Sequence, residues 1–397
     1  MTITDLSGPG LLRRHTGNRS AGHRGRRVAG HWRCTDRVTA KGSRATVSRG
    51  HQKSLFQRWW FSTIVSVVTA AGCSAPGTSV ETTPEVVVTS VGAVLHWPMW
   101  SYATNTLIGL TDDNRVAEIS NPLSTEHAAS RLSAPMTSGR NLQISRKDER
   151  HVYIPQPERG KVAVVELATL RQVGEFDAGP APAYLSEDAG MRVLLVLSAD
   201  GSSVTPVDEY GFRALPTARI PGDPADRIDG ADRGRDIEYH LFGPSGIRYY
   251  KGASSPAEQR GSLSIDVAVS AGDGAKVTRS YVASRDSAVL YAVDSRRGGE
   301  GLAVLATTRL PSPIRALGTD DTRIYAATDE EVVALETDSF TGYQHESIPV
   351  LRVTNYRAAL PPAVQSAPVS GMAVGPHRVY LTLAGTPYVV SVAKPHL

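Results

Sequence analysis

Four aspartates, Asp223, Asp226, Asp229 and Asp232, recur at every third position between Gly222 and Asp236. Carboxylate oxygens in a flexible loop are the ligands calcium takes. Arg227, Arg233 and Arg235 stand among them and offset their charge, and the spacing is not that of an EF-hand. The segment therefore predicts a solvated, mobile loop with no bound metal, and these four carboxylates are its only calcium candidates. His96, His127, His151, His240, His345, His377 and His396 never pair at the short spacings of a zinc motif. His151 and His377 fall at turn positions and read as surface or structural groups. No Gly-x-Ser-x-Gly elbow and no Gly-x-x-x-x-Gly-Lys-Ser/Thr phosphate loop occurs. With only Cys34 and Cys73, a disulfide scaffold, a four-cysteine zinc site and a cysteine-ligated iron–sulfur cluster are excluded. No cofactor is expected.

Cys73 has a different chemistry in view. Residues 59–72 read WWFSTIVSVVTAAG, fourteen uncharged residues preceded by Arg49, Lys53 and Arg58. A positive segment, a short apolar segment and small residues in sequence make a secretory signal. The stretch Ala70-Ala71-Gly72-Cys73 resembles the lipobox of bacterial lipoproteins, although the family's usual leucine is Ala70 here. The resemblance implies cleavage after Gly72 and lipidation of the Cys73 thiol. Two or more acyl chains would give stable anchoring. Charge supports the division. Residues 1–60 carry 13 Lys/Arg against Asp5 and Asp36, whereas the rest of the chain carries 30 basic and 37 acidic residues. The part able to fold is acidic, which argues against a nucleic-acid partner. Residues 1–46 are basic, lack apolar patterning and read as a mis-annotated start that is disordered if made. The expected organisation is 47–72 signal peptide, 73–86 lipidated cysteine and flexible Ser/Thr/Pro/Gly linker, and 87–397 folded domain.

The elements that must position any site come from a repeat. His151-Val152-Tyr153, Arg192-Val193-Leu194, Arg323-Ile324-Tyr325 and Arg378-Val379-Tyr380 align, and Pro182, Pro313 and Pro368 precede the last three by ten residues. Ser280-Tyr281-Val282 and Thr106-Leu107-Ile108 are copies without the proline, and Ile237-Glu238-Tyr239 is a degraded one. Marked at Leu107, Tyr153, Leu194, Tyr239, Tyr281, Tyr325 and Tyr380, the copies are spaced by 41–55 residues. A second alternating strand follows each. Short period-2 strands at this spacing predict an all-β fold: a β-propeller of about seven four-stranded blades behind the signal and tether. The apolar triplets are expected to be inner strands, with Val152, Val193, Ile324 and Val379 buried between neighbouring sheets, and alternation puts Tyr153 and Tyr325 on the opposite face from Val152 and Ile324.

The proline–strand–turn–Arg-Val-Tyr–turn–Val-x-Val-Asp pattern resembles the YVTN-type and quinoprotein amine dehydrogenase β-subunit-like propeller repeats over roughly residues 100–394. It implies architecture, and the wider likeness is to envelope lipoproteins. His96-Trp97-Pro98-Met99-Trp100-Ser101-Tyr102 reads as a strand closing the ring with both tryptophans between blades. Tyr239, His240, Tyr249 and Tyr250 are candidates for the channel rim. The expected function is a binding or scaffold module at the extracytoplasmic face of the cell membrane. Its lipid anchor holds the membrane and its partner is an envelope protein or glycan. The alternative is a propeller enzyme of dehydrogenase or lactonase type with its site in the central channel.

Overall fold

The computed structural model describes residues 84–124, 127–295, 301–338 and 342–395. Gly72, Cys73, the signal segment and the basic stretch 1–46 lie outside the described residues.

Seven antiparallel sheets follow one another along the chain as the blades of a propeller. Their first strands are Leu95–Ser101, Gln143–Ile144, Pro182–Asp188, Arg227–Gly230, Val269–Gly272, Ile314–Thr319 and Val369–Val374. These are the inner strands, since they lie against one another around the ring, the last against the first. The remaining strands of each blade pair outward in order. In blade 3 the outer position is shared by Arg213–Ala214 and Ala218–Arg219. The outer strand of blade 7 is the N-terminal Val86–Ser90, paired with Tyr388–Ala393 near the C-terminus. Joining strands from either end of the described chain in one sheet closes the ring and covers the blade faces that an open ring would leave bare.

All seven marked residues fall on the second strand of a blade, one place outward from the inner strand expected of the apolar triplets, because it is the second strand that a neighbouring sheet covers on either face. These strands carry β-branched and aromatic residues and are buried on both faces, which suits a sheet covered by a neighbour on either side. Val152, Val193, Ile324 and Val379 are buried as expected. Val152 packs with blade 1 and Tyr153 with blade 3. Ile324 packs with blade 5 and Tyr325 with blade 7. The repeat is one residue out of phase in places: Leu107, Leu194 and Tyr239 face the preceding blade, whereas Tyr153, Tyr281, Tyr325 and Tyr380 face the following one. A slip of one residue turns a side chain to the other face of its sheet.

Two of the turns between first and second strands are built on aspartate in the same way. Asp320 Oδ1 accepts from the Thr322 and Arg323 amides at 3.0 and 2.9 Å. Asp273 Oδ1 accepts from Ala275 and Lys276 at 2.7 and 2.8 Å. The second oxygens take the hydroxyls of Tyr325 and Tyr281, at 2.9 and 2.6 Å. An Asx turn thus also satisfies the buried phenol of the next strand.

Three other expectations change. The segment 222–236 is not one loop, because Arg227–Gly230 is the inner strand of blade 4, with Ile228 fully buried as its anchor. Its other side chains are polar because an inner strand turns them to the channel, so no apolar alternation announces it. The strand Leu95–Ser101 does not close the ring; it is the inner strand of blade 1, and Val86–Ser90 does the closing. Tyr239, His240, Tyr249 and Tyr250 do not rim the channel. They sit on the second and third strands of blade 4, buried and stacked, Tyr239 on Tyr250 and His240 on Tyr249, each pair with centroids 5.0 Å apart.

Candidate functional site

A β-bulge near the start of an inner strand recurs in four blades. The register shifts between His96 and Met99, Pro182 and Tyr184, Ile314 and Ala316, and Val369 and Gly371. A bulge breaks the ladder locally and re-aims the side chains beside it. Trp97, Tyr184, Arg315 and Ser370 accordingly line the central channel, a cavity of about 340 Å³ to which all seven blades contribute. In blade 4 the unbulged Arg227 and Asp229 join them. Three of these residues come two positions after an aligned proline: Tyr184 after Pro182, Arg315 after Pro313 and Ser370 after Pro368. Proline suits the first position of a strand, where it withholds no ladder hydrogen bond. That offset is the signal by which the channel lining could have been read.

Trp97 departs from its expected place. Trp100 does pack between blades, stacked on Tyr380 with centroids 4.8 Å apart. Trp97 instead stands in the channel, its ring perpendicular to that of Tyr184 with centroids 5.7 Å apart and the Arg227 guanidinium over it at 5.5 Å. Its φ of 49° lies in the left-handed region. Such strain persists where the surrounding structure imposes it, and it concentrates at ligand-binding positions.

The charges around the channel differ in how they are held. Arg315 is paired with Asp286 at 2.7 Å and Asp329 at 2.8 Å. Asp229 Oδ2 accepts from the Ser270 hydroxyl at 2.7 Å. Burial pushes the Asp229 carboxyl up, opposed by that hydrogen bond and by Arg227. Burial also pushes the Tyr184 phenol up to about 12. Asn141 is spent on structure, its amide donating to the Leu185 carbonyl at 2.7 Å while its oxygen accepts from the Leu185 amide at 2.8 Å. It ties blade 2 to blade 3.

The four aspartates singled out by spacing do not converge. Asp223 and Asp226 are exposed, Asp229 faces the channel, and Asp232 is ion-paired with Arg146. Among the described residues no group of three or more His, Cys, Asp or Glu side chains could hold a metal. His151 lies at a turn beside Asp148 at 3.1 Å, and His377 is exposed. His240 is buried between blades, which lowers its pKa to about 4. Among the described residues no helix is long and apolar enough to cross a membrane.

No family model matches the chain, and no curated protein matches it. Solved structures do. A chain in "Crystal Structure of Mitotic Checkpoint Complex" superposes with a TM-score of 0.61 at 11% identity, covering 85% of this chain and 99% of that one. A chain in "Structure of U3-55K" superposes with a TM-score of 0.59 at 10% identity, covering 78% and 98%. At these identities the likeness shows the fold alone.

Proposed function

We propose that the protein is an exported, lipid-anchored β-propeller that works as a binding module at the extracytoplasmic face of the cell membrane, with an envelope protein or glycan as its partner. The observation that carries the binding reading is the convergence of Trp97, Tyr184 and Arg227 on one hollow of the channel. A concave surface lined by aromatic rings and a few placed polar groups is built to hold a ligand. The anchoring reading is supported by sequence alone, by the signal-like segment 59–72 and by Gly72-Cys73. The repeat's resemblance to YVTN-type and amine dehydrogenase β-subunit-like propellers, familiar in envelope lipoproteins, points the same way.

The anchor and the binding are tested separately. Full-length wild type and Cys73→Ala are expressed in a bacterium and fractionated. Wild type is expected in the membrane fraction, and Cys73→Ala unprocessed or released to the soluble fraction. A fully processed Cys73→Ala protein that stays in the membrane would refute the anchor. For binding, the melting temperature of the purified full chain is measured with soluble envelope extract. A rise in wild type that is absent in Trp97→Ala is expected, and no rise in wild type would count against the module.

A further inference from the structure

One mouth of the channel, on the side where the inner strands begin, carries an unbalanced charge. Arg140, Arg227 and Arg285 surround a hollow of about 360 Å³ together with Trp97, Tyr184 and Asp226. Among the described residues, none of these three arginines has a carboxylate within ion-pair distance, unlike Arg315 beside them. Arg140 donates to the carbonyls of Ala199 and Asp226 at 3.0 and 3.3 Å. Those bonds orient its guanidinium and leave its charge intact. Arg227 is held over the Trp97 ring, a contact that likewise does not neutralise it. Arg285 is exposed. Asp226 is the one carboxylate lining this hollow, and Asp229 lies in the adjoining channel with the Ser270 hydroxyl on it.

Three cations against one carboxylate in a concave site draw in an anion. The planar fork of a guanidinium matches the oxygens of a carboxylate or phosphate. The aromatic pair adds a second requirement. Trp97 is half-buried, braced by the perpendicular ring of Tyr184, and offers a flat apolar surface beside the arginines. Among the described residues it is the one non-glycine residue that combines a positive φ with a place inside a strand. The bulge therefore fixes the ring where a ligand would meet it. A charge without a flat carbon face would use only half of these groups, and a neutral ring the other half. The volume is that of a small-molecule site and too small for a folded partner.

We infer that this mouth binds an acidic sugar, a pyranose ring bearing a carboxylate or a phosphate ester, with the ring's C–H face on Trp97 and the oxyanion among Arg140, Arg227 and Arg285. This rests on the reading of the channel mouth as a binding site and names its ligand class.

The test is calorimetric titration of the full-length chain in detergent, at about 0.15 M salt so that exposed charges are screened as in a cell. The probes are glucuronate, glucose 1-phosphate, glucose and inorganic phosphate. At least one of the first two is expected to bind, and which one does tells carboxylate from phosphate recognition. Glucose and inorganic phosphate are expected to bind at least about tenfold more weakly. Trp97→Ala and Arg227→Gln are each expected to weaken the acidic sugar by about tenfold or more. Arg285→Gln, an exposed change that cannot disturb the core, is expected to weaken it measurably. Equal binding of glucose, or equal binding of inorganic phosphate with indifference to Trp97→Ala, would overturn the assignment. So would the absence of binding by both acidic sugars up to about 10 mM. If both acidic sugars fail while envelope extract still raises the melting temperature through Trp97, the ligand class falls and the binding module stands. If extract also fails, both fall.

Discussion

Glu209 and Glu187 form a pair of carboxyls enclosed where blade 3 meets its neighbours. Glu209 is fully buried, and among the described residues neither of its carboxylate oxygens has a hydrogen-bond partner. Burial, with Glu187 beside it, pushes the Glu209 carboxyl up to about 8, against the opposing pull of Arg192 and Lys147. Burial raises Glu187 too. A carboxyl raised in the folded state keeps its proton there after the unfolded chain has lost it. Its stabilisation is fully present below the ordinary carboxyl range and is lost as pH climbs through about 8. His240 acts oppositely: held neutral by burial, it destabilises the fold as pH falls below its ordinary 6.5 toward about 4. Asp188, raised to about 6 by burial, has released its proton by neutrality. Between pH of about 6.5 and 8 the glutamate pair therefore dominates. The melting temperature of wild type is expected to fall across that window, by the equivalent of about 2 kcal/mol. Glu209→Gln should flatten the slope and melt higher than wild type at the alkaline end. Parallel slopes in the two proteins would show that this pair does not govern the alkaline loss.

At the scale of the strand, burial between blades separates positions that the sequence places on equal footing. Ile324 is fully enclosed against blade 5, and Ile324→Ala leaves a cavity expected to cost about 2–4 kcal/mol. Asp229→Ala removes one hydrogen bond, from Ser270, at the channel wall. It should shift the melting temperature far less, within about 1 kcal/mol. A larger loss from Asp229→Ala would mean the inner strand of blade 4 depends on that carboxylate. The same strand should resist protease. Under native conditions trypsin is expected to cut after Arg233 or Arg235, which are exposed in the turn, before it cuts after the half-buried Arg227. Mass spectrometry of the first fragments decides it, and early cleavage after Arg227 would contradict the strand. These contrasts mark what was legible in the sequence. Second strands announce themselves, because a sheet covered on both faces must be written in apolar residues, as in the RIYAAT of Arg323–Thr328. Inner strands do not, because their outward side chains face a channel: Arg227–Gly230, RIDG, reads as a loop. The aromatic segment at Trp97 was visible as a segment. Its direction depended on a bulge that no residue pattern between His96 and Met99 spells out.

For the whole molecule the decisive contact is the one that closes the ring. The strand Val86–Ser90 comes from one end of the described chain and the sheet it completes from the other. Val86 and Val88 pack with the core shared by blades 6 and 7. Hydrophobic contact alone would let such a terminal strand fray, since termini are ordered only when tied down. Arg378 ties it. Its guanidinium is buried and donates through Nη2 to the carbonyls of Pro84 at 3.0 Å, Glu85 at 2.9 Å and Ser391 at 2.9 Å. Burial lowers its pKa, as expected of a cation whose partners here are carbonyl dipoles. Arg352 reaches the same Glu85 through its carboxylate, at the surface. The two arginines thus hold one residue by different physics. Arg378→Leu removes the hydrogen bonds to the Pro84, Glu85 and Ser391 carbonyls, of which Glu85 keeps the Ala393 amide at 2.8 Å, and should cost on the order of 2–4 kcal/mol. Arg352→Leu breaks a solvent-exposed pair and should cost about 1 kcal/mol or less, falling further with added salt. Denaturant midpoints of the two variants, at low and high salt, give the comparison. Hydrogen exchange at the Val87 and Thr89 amides should accelerate in Arg378→Leu alone. Equal losses in both variants, or unchanged exchange in Arg378→Leu, would mean that side-by-side packing of valines closes the ring without the buried cation.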